Sequence, residues 1–281
     1  MLKLFKKKEP KVIPSTEAFA CQAFENEAYK ALEINYDNFF EKCLINFDKQ
    51  EEYTLKDIKR ISFELSNICN YSYIHKKCPL SLVKDKKVLS SQIIYKCIDE
   101  LATINFDGVV AFHRYNEPLI DPRLCQFIEY TNKKLPLAKI LILTNGFYLS
   151  EEIVKHFEEY KIWCICVSAY FKSEYERISK IETNIPLRVF YSILDDRESI
   201  YDDTPKNCNT PCISPLSDLT VTCEGTVGLC CLDWKNRFTF GKLHEKSISE
   251  IIDSDYFQAT CLDLQKGNRK LLICKNCDWI R

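Results

Sequence analysis

The sequence predicts an α/β protein built around a partial (β/α) TIM-like barrel, with a helical extension before it and a small α+β domain after it. From Ile61 onward, apolar strand patterns alternate with helical patterns, which is typical of a parallel sheet with helical crossovers. Residues 140–143 are apolar at every position, as expected of a strand covered on both faces. After residue 205 this periodicity weakens and cysteines become frequent. We therefore expect three segments, at residues 1–55, 56–205 and 206–281.

The predicted elements follow from the apolar patterns in order. In the extension, apolar residues spaced as on one helix face predict a helix over 25–47 that packs on the main domain. The first strand of the barrel begins at Ile61, where apolar and polar residues alternate. Four more strands are expected over 108–113, 139–144, 162–168 and 187–193, and four helices over 91–104, 122–133, 150–160 and 172–179.

Composition excludes several classes of function. The net charge of −1 is spread over 281 residues, so we expect neither a nucleic-acid partner nor an acidic membrane surface. No apolar run has the length of a signal peptide or a membrane span, which predicts a cytoplasmic protein. Sixteen cysteines are many for such a protein. Without a secretory signal they are better explained as metal ligands and buried thiols than as disulfides.

The loop after the first strand is a candidate metal site. Cys69 and Cys78 lie in this loop, with His75 three residues before Cys78. Thiolate and imidazole are soft or borderline ligands, and the carboxyl end of a strand is where α/β proteins bind ligands. Spacing alone leaves open a second interpretation, in which two buried thiols and a surface histidine have no common role.

Polar residues follow the next strands at the same end of the sheet. Glu117 follows the second strand, Asn145 the third and Ser168 the fourth, with Arg177 shortly after it. Each has an ordinary structural explanation in a turn or a helix cap. Together they place a carboxylate, an amide, a hydroxyl and a guanidinium at one rim, which suits a zwitterionic ligand beside a metal.

The C-terminal segment carries a stronger metal signal. Cys274 and Cys277 form a Cys-x-x-Cys pair, and further cysteines, including Cys212 and Cys230, precede it. Two residues between thiolates let one turn present both to the same centre. Spacing leaves zinc and an iron-sulfur cluster open, since tetrahedral thiolates suit both.

These motifs together resemble the radical S-adenosylmethionine (SAM) superfamily with a C-terminal domain of the SPASM/twitch kind. The similarity runs from about Ile61 to the C-terminus. Residues 64–70 (ELSNICN) and the Cys78-Pro79 pair resemble the family's loop for the SAM-binding 4Fe-4S cluster, and residues 115–118 (YNEP) resemble its Gly-Gly-Glu strand end. Residues 143–146 (LTNG) resemble its third-strand motif. The most specific match is the pattern Cys-x(9-15)-Gly-x4-Cys followed by Cys-x2-Cys, which Cys212, Gly225, Cys230, Cys274 and Cys277 satisfy.

The resemblance implies cofactors and roles. Cys69 and Cys78 would bind a SAM-binding 4Fe-4S cluster, and Glu117 would receive the amino group of SAM, with Asn145, Ser168 and Arg177 nearby. The four C-terminal cysteines would bind one auxiliary 4Fe-4S cluster. The chain ends soon after the Cys-x2-Cys pair, which corresponds to the shorter twitch form with a single auxiliary cluster.

The sequence departs from the family at the middle ligand of the SAM cluster. The family's loop is Cys-x3-Cys-x2-Cys, whereas His75 holds the position three residues before Cys78 and two extra residues separate it from Cys69. Imidazole replaces thiolate on cluster iron in Rieske centres, where it raises the reduction potential. We therefore name His75 as the candidate third ligand. A cysteine elsewhere, such as Cys97 or Cys125, and loss of SAM cleavage remain the alternatives.

Three functions stay open at this point. The first is a radical SAM oxidoreductase that acts on a small sugar-like or cyclitol-like substrate, helped by the auxiliary cluster and by an electron donor such as flavodoxin or ferredoxin. The second is a radical SAM enzyme that modifies a peptide or protein, which residues 1–55 would help to dock. The third is a non-catalytic iron-sulfur or zinc protein with a degenerate SAM site. The sequence itself names no substrate.

Overall fold

The computed structural model describes residues 51–74, 78–192 and 209–277. One eight-stranded sheet runs through all three ranges, in the spatial order β5-β4-β3-β2-β1-β6-β7-β8. The predicted helix over 25–47, His75 and the predicted boundary at 205 lie outside the described residues, so these three remain predictions. The strands are β1 Arg60–Phe63, β2 Val109–Ala111, β3 Lys139–Thr144, β4 Ile162–Ala169, β5 Leu187–Tyr191, β6 Leu219–Val221, β7 Thr226–Gly228 and β8 Thr239–Lys242.

Strands β1 to β5 form the parallel part of the sheet, and a helix follows each of the first four. Helices α1 to α4 span Ser91–Thr103, Leu124–Lys134, Glu151–Phe157 and Lys172–Ile178. The five strands and four helices predicted for residues 56–205 are therefore confirmed, with ends that differ by a few residues. The sheet is not closed, because β5 and β8 are its two edges, and the predicted partial barrel is confirmed.

The C-terminal segment continues this sheet. β6 pairs parallel with β1, with Ile61 opposite Leu219, and β7 and β8 then add antiparallel. Four helices complete the segment: α5 Ser214–Ser217, α6 Ile248–Ile252, α7 Asp255–Gln265 and α8 Leu272–Lys275. The sequence predicted an α+β unit here but not its pairing with the first strand, because patterns of neighbouring residues carry no signal for a partner about 160 residues away.

The two faces of the sheet are buried in different ways. The large core includes Ile61, Phe63 and Phe112 together with apolar residues of helices α1 to α4. On the opposite, concave face, a smaller cluster contains Val109, Ala111, Leu141 and Cys164. The concave face is the interior of the partial barrel, and its apolar residues lie below the carboxyl ends of the strands.

Gly225 shows why the C-terminal pattern requires a glycine. It lies in the turn between β6 and β7, where its φ is +76°. Residues with a side chain adopt this conformation at a higher free-energy cost than glycine does. A Cβ at this position would also lie 2.6 Å from the Ile93 side chain. The glycine therefore permits a tight turn that presses against helix α1.

Every helix in the described ranges is too short or too polar to span a bilayer.

Candidate cofactor site and cysteine pocket

A pocket lies at the carboxyl ends of strands β1 to β4, and we call it the strand-end pocket. The parallel strands bring together residues that are far apart in the sequence, as expected from the positions of their ends. Arg177 does not line this pocket, and His75 is outside the described residues. Five of the predicted site residues are among those that line the pocket: Cys69, Cys78, Glu117, Asn145 and Ser168.

Glu117 is the buried carboxylate of this pocket. One carboxylate oxygen accepts hydrogen bonds from Thr144 Oγ1 at 2.7 Å and from the Leu119 amide at 3.0 Å, and the other accepts from the Asn145 amide at 2.8 Å. Burial raises the pKa of Glu117 to about 7, although these hydrogen bonds favour the ionised form. Glu117 therefore joins the ends of β2 and β3 and presents a negative or titrating group to the pocket.

Asn145 continues this network to the cysteine loop. Its side-chain amide donates to Asn70 Oδ1 at 2.8 Å and lies 3.7 Å from Cys69 Sγ. The amide of Tyr71 donates to the same sulfur at 3.4 Å. Burial raises the pKa of the Cys69 thiol to about 12, which favours the protonated form. A metal centre displaces such a proton, and hydrogen bonds to a ligating sulfur then help to set the reduction potential of the cluster.

An aromatic group adjoins the cysteine loop. The Tyr71 ring makes edge contacts with Phe147, Tyr170 and Phe171, at centroid distances of 5.7, 6.0 and 5.8 Å. Its hydroxyl donates to the buried carboxylate of Glu174. These rings form an aromatic wall beside the cysteine loop and would help to shield a cluster held there from water. The sequence analysis missed Tyr71, although its position two residues after Cys69 was a signal.

The third ligand of a cluster in this pocket stays a prediction. Counted from Cys69, the middle cysteine of the family's Cys-x3-Cys-x2-Cys loop corresponds to Tyr73. Tyr73 is 58% exposed. The two alternative cysteines, Cys97 and Cys125, lie on helices α1 and α2 in the helix-sheet core and not at the pocket. Cys166 on β4 does line the pocket. The described residues thus supply two loop thiols that fit the cluster, and His75 remains the candidate third ligand.

Arg177 has a local structural task. Its guanidinium donates to the carbonyl oxygens of Gly146, at 2.9 Å, and Leu149. It thereby supports the loop that follows Asn145. Contact of Arg177 with SAM remains a prediction.

A second pocket, which we call the cysteine pocket, is lined by all four C-terminal cysteines of the predicted auxiliary site. These are Cys212, Cys230, Cys274 and Cys277, and Cys231 also lines it. Burial raises the pKa of the Cys274 thiol to about 12 and also raises that of Cys230. Four thiols around one cavity are the donor set of a 4Fe-4S cluster, so the residues present fit this group.

Arg269 holds the C-terminal pair in place. Its guanidinium donates to the carbonyl oxygens of Cys277 at 2.9 Å and Cys274 at 3.5 Å, and also to Thr210 Oγ1 at 3.0 Å. Thr210 is two residues before Cys212, so one buried arginine connects the two cysteine-bearing segments. No sequence pattern that we used points to Arg269.

Among the residues that the structure describes, no three His, Cys, Asp or Glu side chains converge on a single metal ion. A 4Fe-4S cluster does not require such convergence, because each of its cysteines binds a different iron.

Two consecutive residues connect the two pockets. Arg114 and Tyr115 follow β2 and line the strand-end pocket. The Tyr115 hydroxyl donates to the carbonyl oxygen of Cys231. Arg114 Nη2 lies 3.4 Å from the carbonyl oxygen of Cys230. Both residues come directly after the predicted second strand, but sequence patterns could not assign partners about 116 positions later.

Comparison with known proteins agrees with this geometry. Residues 212–278 match the model of the SPASM family, described as an iron-sulfur cluster-binding domain. The chain is 29% identical over 231 residues to the S-adenosyl-L-methionine-dependent 2-deoxy-scyllo-inosamine dehydrogenase of Niallia circulans. The match covers 78% of this chain and 92% of that protein.

Solved structures show the same fold. BtrN in complex with AdoMet and 2-DOIA matches with a TM-score of 0.68 at 26% identity, over 79% of this chain and 94% of that one. The structure of anSMEcpe with bound AdoMet matches with a TM-score of 0.53 at 14% identity, over 78% of this chain and 86% of that one. The second match concerns the fold alone.

The partial barrel, the cysteine loop after its first strand and the C-terminal cysteine pocket agree with these matches. Over most of its length the chain is therefore similar to an S-adenosyl-L-methionine-dependent dehydrogenase, and its C-terminal residues match an iron-sulfur cluster-binding domain of the SPASM family.

Proposed function

We propose that this protein is a dehydrogenase that oxidises a hydroxyl-bearing carbon of a small cyclitol-like substrate. The observation that carries the proposal is the arrangement of the two pockets. The strand-end pocket combines two cluster cysteines with polar groups for SAM and a polar substrate, and Arg114 and Tyr115 connect it to the cysteine pocket. The similarity to a cyclitol dehydrogenase over most of both chains supports the same substrate class.

The cofactors and the chain have separate tasks in this reaction. When bound, the SAM cluster and SAM supply one-electron cleavage of SAM and removal of a hydrogen atom from a carbon. Glu117 and Asn145 orient the amino acid part of SAM beside Cys69, and the Tyr71 aromatic group excludes water. Oxidation of an alcohol carbon must also remove a proton and a second electron. Cys212, Cys230, Cys274 and Cys277 of the cysteine pocket would hold a cluster that is able to accept this electron.

The proposal includes an external one-electron donor such as flavodoxin or ferredoxin, since each reduction of the SAM cluster needs an electron. It also includes a cytoplasmic location, because a reducing compartment keeps the many thiols available to the clusters. Peptide modification receives less support, because the matching structure that holds a peptide, anSMEcpe with AdoMet and Kp18Cys peptide, is 12% identical and shows the fold alone.

The experiment that tests this function is anaerobic turnover of reconstituted protein with dithionite, SAM and 2-deoxy-scyllo-inosamine, with related amino-cyclitols beside it. We expect 5'-deoxyadenosine and a ketone in equal amounts from at least one of these substrates. Absence of 5'-deoxyadenosine from protein that carries both clusters would instead support the degenerate, non-catalytic protein.

Glu117→Gln should weaken SAM binding. The substitution removes the negative charge that would face the SAM amino group, and a charge-assisted hydrogen bond contributes about 1.5–3 kcal/mol, roughly 10-fold to 100-fold in affinity. Equilibrium dialysis with labelled SAM measures this, and the iron content should not change. Glu100→Gln is the matched control, because Glu100 caps helix α6 through the amides of Ile248 and Ser249, away from the pocket. Equal SAM affinity in both variants would contradict the role of Glu117.

The neighbouring residues Cys230 and Cys231 should respond differently to serine. Both line the cysteine pocket, but only Cys230 fits the family pattern. We expect Cys230→Ser to lose the auxiliary cluster, about four irons per chain, and Cys231→Ser to keep it. Iron analysis and electron paramagnetic resonance check both. The reverse result would move the ligand assignment to Cys231.

His75 should prove to be a ligand of the SAM cluster. His75→Ala should lose that cluster or leave a three-iron form, whereas His75→Cys should retain it at a lower reduction potential, because thiolate restores a negative charge. Cys97→Ser is the control, since the structure buries Cys97 in the helix-sheet core. If His75→Ala keeps a full cluster signal that responds to SAM, the imidazole is not a ligand.

A further inference from the structure

Arg114 is a buried charge between the two pockets. It follows strand β2, and its side chain is only 2% exposed although it lines the strand-end pocket. Removing a guanidinium from water is unfavourable unless partners satisfy it. The groups that contact the Arg114 guanidinium should therefore indicate the role of this buried charge.

Most of these partners belong to one loop of the C-terminal domain. Arg114 Nη2 donates to the carbonyl oxygen of Asp233 at 2.8 Å and lies 3.4 Å from the carbonyl oxygen of Cys230. Arg114 Nη1 donates to Asn236 Oδ1 at 2.8 Å. The loop over 230–236 thus turns around the guanidinium. Asn236 has a φ of +51°, an uncommon conformation that this contact helps to maintain. Because Cys230 begins the loop, Arg114 fixes a predicted ligand of the auxiliary cluster relative to the strand-end pocket.

Glu64 supplies the negative partner. Its Oε2 lies 3.6 Å from Arg114 Nη1, and its side chain is 4% exposed. The same oxygen accepts a hydrogen bond from the Cys223 amide at 3.0 Å. The pair carries no net formal charge, but its positive and negative groups are arranged asymmetrically. The Nη2 end of the guanidinium faces the Cys230 carbonyl, and the Nη1 end faces Glu64.

We propose that the Glu64–Arg114 pair positions the auxiliary cluster beside the substrate and sets its reduction potential. A positive charge near a cluster favours the reduced form, which carries more negative charge, and so raises the potential. A higher potential makes the cluster a better acceptor for the second electron of the oxidation. This inference rests on the proposed dehydrogenase function and assigns to Arg114 the role of a positioning residue.

The two charges should shift the potential in opposite directions. In redox titrations of the auxiliary cluster without substrate, followed by electron paramagnetic resonance, Arg114→Gln should give a negative shift and Glu64→Gln a positive one. Arg114→Lys, which keeps the charge, should stay near the wild-type value, and so should the Glu64→Gln/Arg114→Gln double variant. A purely structural role would not produce shifts of opposite sign.

Arg60→Gln is the matched control. Arg60 forms a largely buried pair with Asp218 at the amino-terminal ends of strands β1 and β6, whereas Arg114 follows the carboxyl end of β2. We expect this variant to lose stability without a shift in potential. If Arg114→Gln does not fold, Glu64→Gln and Arg114→Lys still decide the question. Unchanged potentials, or shifts of the same sign in the two single variants, would overturn the proposal.

Turnover separates this inference from the proposed function. Arg114→Gln should still form 5'-deoxyadenosine but should give less ketone for each molecule of it, because the second electron has a poorer acceptor. Arg114→Lys should recover part of that ratio. If the wild-type protein oxidises no cyclitol, the proposed function fails, and the titrations still decide whether the pair sets the potential.

Discussion

The site depends on the buried carboxylate of Glu117. This group accepts hydrogen bonds from Thr144 and from the Asn145 amide, and Asn145 in turn contacts Asn70 and lies near Cys69. One acidic side chain at the end of β2 therefore orders the end of β3 and the loop after β1. An uncompensated carboxylate would not be stable in this position, so the surrounding donors and the acid stabilise one another. In the proposed function, the same group binds the ammonium of SAM.

The second constraint is the pairing of β6 with β1. It attaches the C-terminal domain to the first strand of the barrel, so both cysteine sites belong to one sheet. Arg114 and Tyr115 then close the remaining gap by bonds to the loop that carries Cys230 and Cys231. Electron transfer between a substrate and a cluster needs a fixed separation. The continuous sheet and the buried Glu64–Arg114 ion pair would keep this separation constant.

Sequence patterns predicted the local features well. The order of strands and helices, the rim with Glu117, Asn145 and Ser168, and the four C-terminal cysteines all depend on residues whose types and spacing are visible along the chain. Contacts between distant segments could not be predicted this way. Several partners of Arg114 and Arg269 are main-chain carbonyl groups, which leave no mark on residue type. The bonds from Arg177 to carbonyl oxygens of the Gly146 loop could not be predicted for the same reason, and its predicted place beside SAM stays a prediction.

In the proposed reaction, the strand-end pocket holds a substrate carbon where SAM chemistry removes its hydrogen atom, and a cluster in the cysteine pocket would accept the second electron. Isotope transfer tests this most directly. With a cyclitol substrate deuterated at the carbon that is oxidised, mass spectrometry should find deuterium in 5'-deoxyadenosine together with formation of the ketone. Unlabelled 5'-deoxyadenosine from protein that carries both clusters, formed while the ketone accumulates, would contradict the account.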